Sequence, residues 1–221
     1  MTCCTSCSTF TAPASPLGRF RWFKRAHAWA LARGNARFDR AMRHSRQAML
    51  GALRGTVLEI GPGAGSSLPF FNRDVRWIGV EPNPYAHRHL EARAEALGLH
   101  ADIREGVAER LPVPDASVDA VVSSLVLCTV SDVDATLAEI RRVLKPGGRF
   151  VFIEHVAAPA GSWLRRAQRA WRTPQAILGD GCRIDQETWV ALDRAGFASL
   201  TLCDDQVSLP LFPLLLGTAV S

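Results

Sequence analysis

Apolar and polar positions along the chain follow two rhythms. Val57-Leu58-Glu59-Ile60, Trp77-Ile78-Gly79-Val80-Glu81 and Val118-Asp119-Ala120-Val121-Val122-Ser123-Ser124-Leu125 are short, largely apolar runs bounded by turn residues. Such runs read as strands covered on both faces, as parallel strands are in α/β sheets. Between them the apolar positions return at helical spacing. Asn83-Pro84 opens a helix through Leu97 that ends at Gly98, and Ser131-Asp132 caps another through Leu144. Ala101 to Glu105 supplies a third strand. Lys145-Pro146-Gly147-Gly148 is a turn into a strand from Arg149 to Val156, and Gln186 to Arg194 is a helix closed by Gly196. Ser199 to Cys203 and Leu214 to Val220 form a final antiparallel pair. Strand and helix alternate, which predicts an α/β fold on a doubly wound, mostly parallel sheet of seven strands.

Upstream the rhythm changes. Residues 1–18 are rich in Ser, Thr and Pro and poor in large apolar side chains, and are expected to be a disordered tail. Residues 19–52 read as two helices broken at Gly34-Asn35. Phe20, Trp22, Phe23 and Trp29 stand among basic residues in the first, and Leu31, Phe38, Met42, Met49 and Leu53 recur near a 3.6-residue period. These helices make an N-terminal cap on a domain spanning 53–221. Three roles are open to the cap: packing on the domain, covering a ligand mouth as a lid, or lying on a membrane with aromatics down and arginines toward lipid phosphates.

Composition narrows the picture. A chain of 221 residues, 48% of them hydrophobic, suffices for one α/β domain with an appendage and is too short for two. The net charge of +5 is uneven, since between Arg19 and Arg54 the one acid is Asp39. The basic excess belongs to the cap, where it is as readily a solvated helix face as a contact for anions. No nucleic-acid partner is expected, because the basic helices carry no recognisable RNA-binding module and no Asn-Pro-Pro-Tyr motif follows the fourth strand. Of six cysteines, Cys3, Cys4 and Cys7 crowd the tail, while Cys128, Cys182 and Cys203 are scattered, which suits a reducing compartment and no disulfide framework. Cys4-x-x-Cys7 lacks a second ligand pair, so no metal is expected. Without a secretory signal or about 20 uninterrupted apolar residues, the chain is expected to be soluble and cytoplasmic, and monomeric or weakly associating.

The chemistry centres on Glu59-Ile60-Gly61-Pro62-Gly63-Ala64-Gly65. A buried strand breaks into alternating glycines, so bare backbone can approach a ligand. A dinucleotide fingerprint would place its third glycine at Ser66; the loop instead suits a ligand without a pyrophosphate. Glu81 ends the second strand about 20 residues after Gly61, where such folds hydrogen-bond a ribose diol. Glu59-x-Gly61-x-Gly63-x-Gly65 with Glu81 resembles the motif of class I S-adenosylmethionine-dependent methyltransferases, which implies a Rossmann-like sheet and that cofactor, released as S-adenosylhomocysteine. The resemblance implies that Gly61, Gly63 and Gly65 cradle the cofactor, that Glu59 supports its methionine end, and that Glu81, beside Pro82, binds the ribose. Where many such enzymes carry an acid for the adenine amino group this chain has Val107, so backbone around Val107 and Ala108 is expected there. Leu125 is expected beside the methionine part.

Methyl transfer from a sulfonium is an in-line displacement, in which a protein aligns the partners and excludes water. Polar groups expected at the open face are Glu154, His155, Asp180, Cys182 and Arg183. His155 is a candidate base, Asp180 a candidate to orient it or to cap a turn, and Cys182 a candidate exposed thiol. A narrower resemblance joins these residues. Leu125-Val126-Leu127-Cys128, Glu154-His155-Val156-Ala157-Ala158 and Asp180-Gly181-Cys182, with Trp189 after, resemble the methyltransferase-like 7 family of animal thiol S-methyltransferases. That resemblance implies a small-molecule acceptor: sulfide, or a small alkyl or aryl thiol. The alternatives are a lipid, quinol or natural-product acceptor at carbon, oxygen or nitrogen, and a module that binds the cofactor without turnover.

Overall fold

A computed structural model describes residues 17–18, 20–34, 36–203 and 212–221. The expected disordered tail, with Cys3, Cys4 and Cys7, lies outside the described residues save for positions 17 and 18. Seven strands form one sheet in the order β3-β2-β1-β4-β5-β7-β6. They are β1 (Thr56–Ile60), β2 (Arg76–Val80), β3 (Ala101–Arg104), β4 (Val118–Ser124), β5 (Leu144–His155), β6 (Ser199–Cys203) and β7 (Leu214–Val220). The first five are parallel, and β7 runs antiparallel between β5 and β6. This is the predicted sheet. One boundary moves: 145–148 continue β5 rather than precede it, and the register against β4 jumps from Val118↔Leu144 to Ala120↔Arg149. The residues read as a turn are an irregularity inside a strand, with Gly147 at φ 75 to allow it.

Both sheet faces are covered. Leu58, Ile60, Val80, Val121, Phe150 and Phe152 face one core with α4 (Val133–Val143) and α6 (Thr188–Arg194). Val57, Trp77, Ala120, Val122 and Val151 face the other, where Leu90 of α3 (Pro84–Leu97) and Leu50 of α2 (Ala36–Leu50) pack. Alternate residues of each strand serve opposite faces, so the runs are apolar throughout. α3 has its expected ends: the Asn83 side chain accepts from the Tyr85 N–H, and Gly98 is left-handed.

The two cap helices differ in kind. Met42 of α2 is fully buried against Ile153 and Leu216, so α2 is part of the domain core. α1 (Arg21–Arg33) instead lies against α3, with Arg21 Nε donating to the Tyr85 hydroxyl at 2.9 Å and Asn83 Nδ2 donating to the Lys24 carbonyl at 3.0 Å. A further helix, α5 (Trp163–Leu178), was not anticipated. Ser162 caps it by accepting from the Arg165 N–H, and Pro174 lies within it. No helix among the described residues is long and apolar enough to cross a membrane.

Candidate active site

The carboxyl ends of β1, β2, β4 and β5 open on one rim, where ligands of such sheets bind. Gly61, Gly63 and Gly65 all have positive φ, at 55, 56 and 79. A Cβ on Gly61 would come within 2.7 Å of Val126, and one on Gly65 within 2.7 Å of Leu68 and 2.8 Å of Leu90. The loop is therefore a backbone cradle that side chains would fill. Glu81, nearly buried, ties it to β2: Oε2 accepts from the Gly63 N–H and Oε1 from the Asn83 N–H, each at 2.8 Å. Burial raises its pKa, and those two donors pull it back. A bare cradle with a carboxylate on its rim fits a nucleoside carrying a ribose diol.

Glu59 has a different place. Ser67 Oγ donates to its Oε1 at 2.5 Å and Trp77 Nε1 to its Oε2 at 3.1 Å, so both oxygens are engaged by protein. Burial pushes its pKa up to about 7. Glu59 braces the loop through Ser67. Leu31 of α1 stands over the cradle, within 3.2 Å of where a Cβ on Gly63 would be. Pro82 is exposed beside Glu81, Val107 is exposed with a backbone bridge to Arg110, and Ala108 is buried next to it. The nearby acids are used elsewhere, Asp102 by Arg104 and Glu109 by Ser131.

Leu125 holds a left-handed conformation, φ 62, with its N–H on the Ile153 carbonyl. A branched-chain residue held there is uncommon and marks a constrained turn at the site. Glu154 locks that turn from β5. It is fully buried, and its Oε1 accepts from Ser123 Oγ and, at 3.2 Å, from the Val126 N–H. Among the described residues its Oε2 has no partner. Burial lifts this carboxyl to about 7.

Next to it the structure brings together three side chains far apart in sequence. Cys182 Sγ is 3.5 Å from Cys128 Sγ and 3.8 Å from His155 Nδ1. Cys182, a candidate exposed thiol or an ordinary cysteine by sequence, is 5% exposed, because it packs with Cys128, Ile184 and Phe212. The hydrogen bond with Cys182 and burial push the Cys128 thiol up, while the same hydrogen bond and His155 pull Cys182 down. Asp180 does not join them. It occupies the turn after α5 at φ 48, and its carboxylate acts on His27 and Glu81, with no hydrogen bond to His155 among the described residues. Of the two roles expected for it, the turn is the one the structure supports. Sequence reasoning missed His27, half-buried within reach of the charge of Asp180, and Gln168. Gln168 of α5 is 2% exposed; its Nε2 reaches the Val156 and Ile184 carbonyls and its Oε1 accepts from the Ala158 N–H.

A family model described as a methyltransferase domain, Methyltransf_11, matches residues 58–152. Human thiol S-methyltransferase TMT1B is 34% identical over 177 residues, covering 74% of this chain and 70% of the relative. Human thiol S-methyltransferase TMT1A is 38% identical over 151 residues, covering 66% and 62%. In fold the chain is similar to geranyl diphosphate methyltransferase solved in complex with SAM, with a TM-score of 0.62 at 18% identity, covering 81% of this chain and 84% of that one. The chain belongs to the S-adenosylmethionine-dependent methyltransferases, in the family of these thiol S-methyltransferases.

Proposed function

We propose that this methyltransferase acts on a small thiol such as sulfide or an alkyl or aryl thiol. The observation that carries the reading is convergence: Leu125–Cys128, Glu154–His155 and Cys182, three separate segments, meet at the carboxyl ends of β4 and β5. The cofactor supplies an electrophilic methyl group. The chain's own task is then to hold it, align an acceptor and keep water out. Gly61, Gly63 and Gly65 hold it by backbone, Glu81 offers its carboxylate to the ribose, and α1 closes over the loop. A thiol with an ordinary pKa near 8.5 is already partly ionised at neutral pH, so a site with little basic machinery suffices. His155 is the base at hand.

A second reading, a lipid or quinol acceptor, draws on surface composition. Trp22 and Trp29 of α1 and Trp163 and Trp171 of α5 are all more than half exposed, on helices rich in arginine. Tryptophan with arginine suits a membrane interface that presents apolar acceptors. S-adenosylhomocysteine release, measured against sulfide, alkyl and aryl thiols, a quinol in vesicles and an amine, separates the two. Turnover confined to thiols is expected. Turnover on the quinol alone moves the acceptor to the lipid phase, and cofactor binding with no turnover leaves a binding module.

A further inference from the structure

We propose that Cys128, His155 and Cys182 form a zinc site whose fourth position receives the acceptor's sulfur, an inference whose last part rests on the thiol reading above. Among the described residues these three are the group of His, Cys, Asp and Glu donors close enough to share one ion, with Sγ, Sγ and imidazole nitrogen all within 4.8 Å of one another. A tetrahedral zinc ion with Zn–S near 2.3 Å and Zn–N near 2.1 Å sets its ligands about 3.8 Å apart for two sulfurs and about 3.6 Å for sulfur and nitrogen. The observed edges from Cys182 are 3.5 Å to Cys128 and 3.8 Å to His155. The remaining edge, at most 4.8 Å, lies within about 1.2 Å of the tetrahedral value.

The three ligands stand on separate segments that are tied to one another. The Arg183 N–H donates to the Cys128 carbonyl at 2.7 Å, joining the loop after α5 to the turn after β4. Gln168 joins that same loop, at Ile184, to the end of β5 at Val156. The ligand positions are thus set by backbone before any ion arrives, the preorganisation a metal site needs. Two sulfurs and one imidazole form the donor set of catalytic zinc sites that keep a fourth position open. Cys128 and Cys182 are buried and His155 is half-buried, so the approach to that position is on the His155 side.

Zinc there gives the thiol a task-specific activation. A thiol that takes the fourth position loses its proton to water as the Zn–S bond forms, because a coordinating thiol is deprotonated. The metal, rather than His155, then draws off the proton. The bound thiolate's lone pair would make the new carbon–sulfur bond and the pair of the broken bond would stay on the cofactor's sulfur; an alkyl or aryl thiol would leave as a neutral thioether, a poor ligand, and sulfide as methanethiol, displaced by the next acceptor. Charge and atoms balance without an oxidant or reductant.

The test uses the full chain with Cys3, Cys4 and Cys7 changed to Ser, stripped by chelator under reducing conditions. Zinc is titrated in competition with a chromophoric chelator, and cobalt is substituted to read sulfur-to-metal charge transfer. One equivalent is expected, with a tetrahedral cobalt spectrum that shifts on adding an alkyl thiol and not on adding an amine. Cys128→Ser and Cys182→Ser should each loosen zinc by at least about tenfold, since even outer partners of metal ligands are worth that much. Cys203→Ser, at an exposed cysteine outside the cluster, should not. The cobalt spectrum of the unsubstituted cluster keeps the test independent of whether those variants fold. Substoichiometric zinc, or equal affinity in the variants, overturns the site. Undiminished thiol turnover by stripped protein overturns the zinc while leaving the thiol reading intact, whereas zinc bound with no thiol turnover in any form removes the thiol reading.

Discussion

Glu59 and Glu81 end adjacent strands, and both are buried carboxyls, yet they answer to different partners. The oxygens of Glu59 accept from the side chains of Ser67 and Trp77, whereas those of Glu81 accept from backbone N–H groups, Gly63 of the cofactor loop and Asn83 at the start of α3. Glu81→Ala is expected to weaken cofactor binding by about 1–3 kcal/mol, the scale of a hydrogen bond to a charged group; calorimetry with S-adenosylhomocysteine would expose an unchanged affinity. Glu59 should instead show in stability. Folding raises its pKa from 4.5 to about 7, so the folded state holds this proton more tightly than the unfolded chain does. Its contribution is whole below pH 4.5 and is lost as pH climbs toward 7. Glu59→Gln can keep both partners and has no proton to lose, so it should gain on the wild type across that window by up to about 3 kcal/mol. Urea unfolding at both ends of the window measures it, and a constant difference would remove the assignment.

At the scale of elements, the N-terminal cap divides. Met42→Ala in α2 should cost about 2–5 kcal/mol, because it opens a cavity under Ile153 and Leu216. A chain lacking residues through Gly34, and so lacking α1, should still fold. It loses the Arg21–Tyr85 and Lys24–Asn83 hydrogen bonds and the Leu31 cover over Gly63, so it should release S-adenosylhomocysteine roughly tenfold faster, the worth of one or two net hydrogen bonds. Stopped-flow fluorescence reads the release, and an unchanged rate would deny α1 any part in closing the site. The elements read best from sequence were those with local punctuation. α3 runs between Asn83 and Gly98 as expected, since cap side chain and left-handed glycine act within one turn. α5 escaped notice because its Ser162 cap stands alone and Pro174 interrupts its pattern.

For the molecule as a whole, a ligand on the shared rim touches loops that follow strands from the middle of the sheet, so its binding should stabilise the domain as one unit. At 100 times its Kd, S-adenosylhomocysteine should add about 2.7 kcal/mol, which raises the Tm of a domain this size by roughly 5–10 °C. A single shifted calorimetric transition is the expected outcome, and two transitions of which one is unmoved would count against it.

The doubly covered strands, the glycine turn after β1 and the acid after β2 could be read from the chain because each depends on neighbours. Apolar runs make buried strands, glycines permit positive φ, and an acid at a strand's end lies within reach of the loop beside it. The cluster of Cys128, His155 and Cys182 could not be read in that way. Its members are 27 and 54 residues apart, on segments whose meeting depends on the β4–β5 pairing, on Gln168 and on the Arg183–Cys128 hydrogen bond. Burial followed from the same packing, which covers the Cys182 thiol and leaves Asp180 in the turn after α5. Spacing along a chain carries short-range geometry, whereas side chains from distant segments come within bonding distance only when the whole sheet closes.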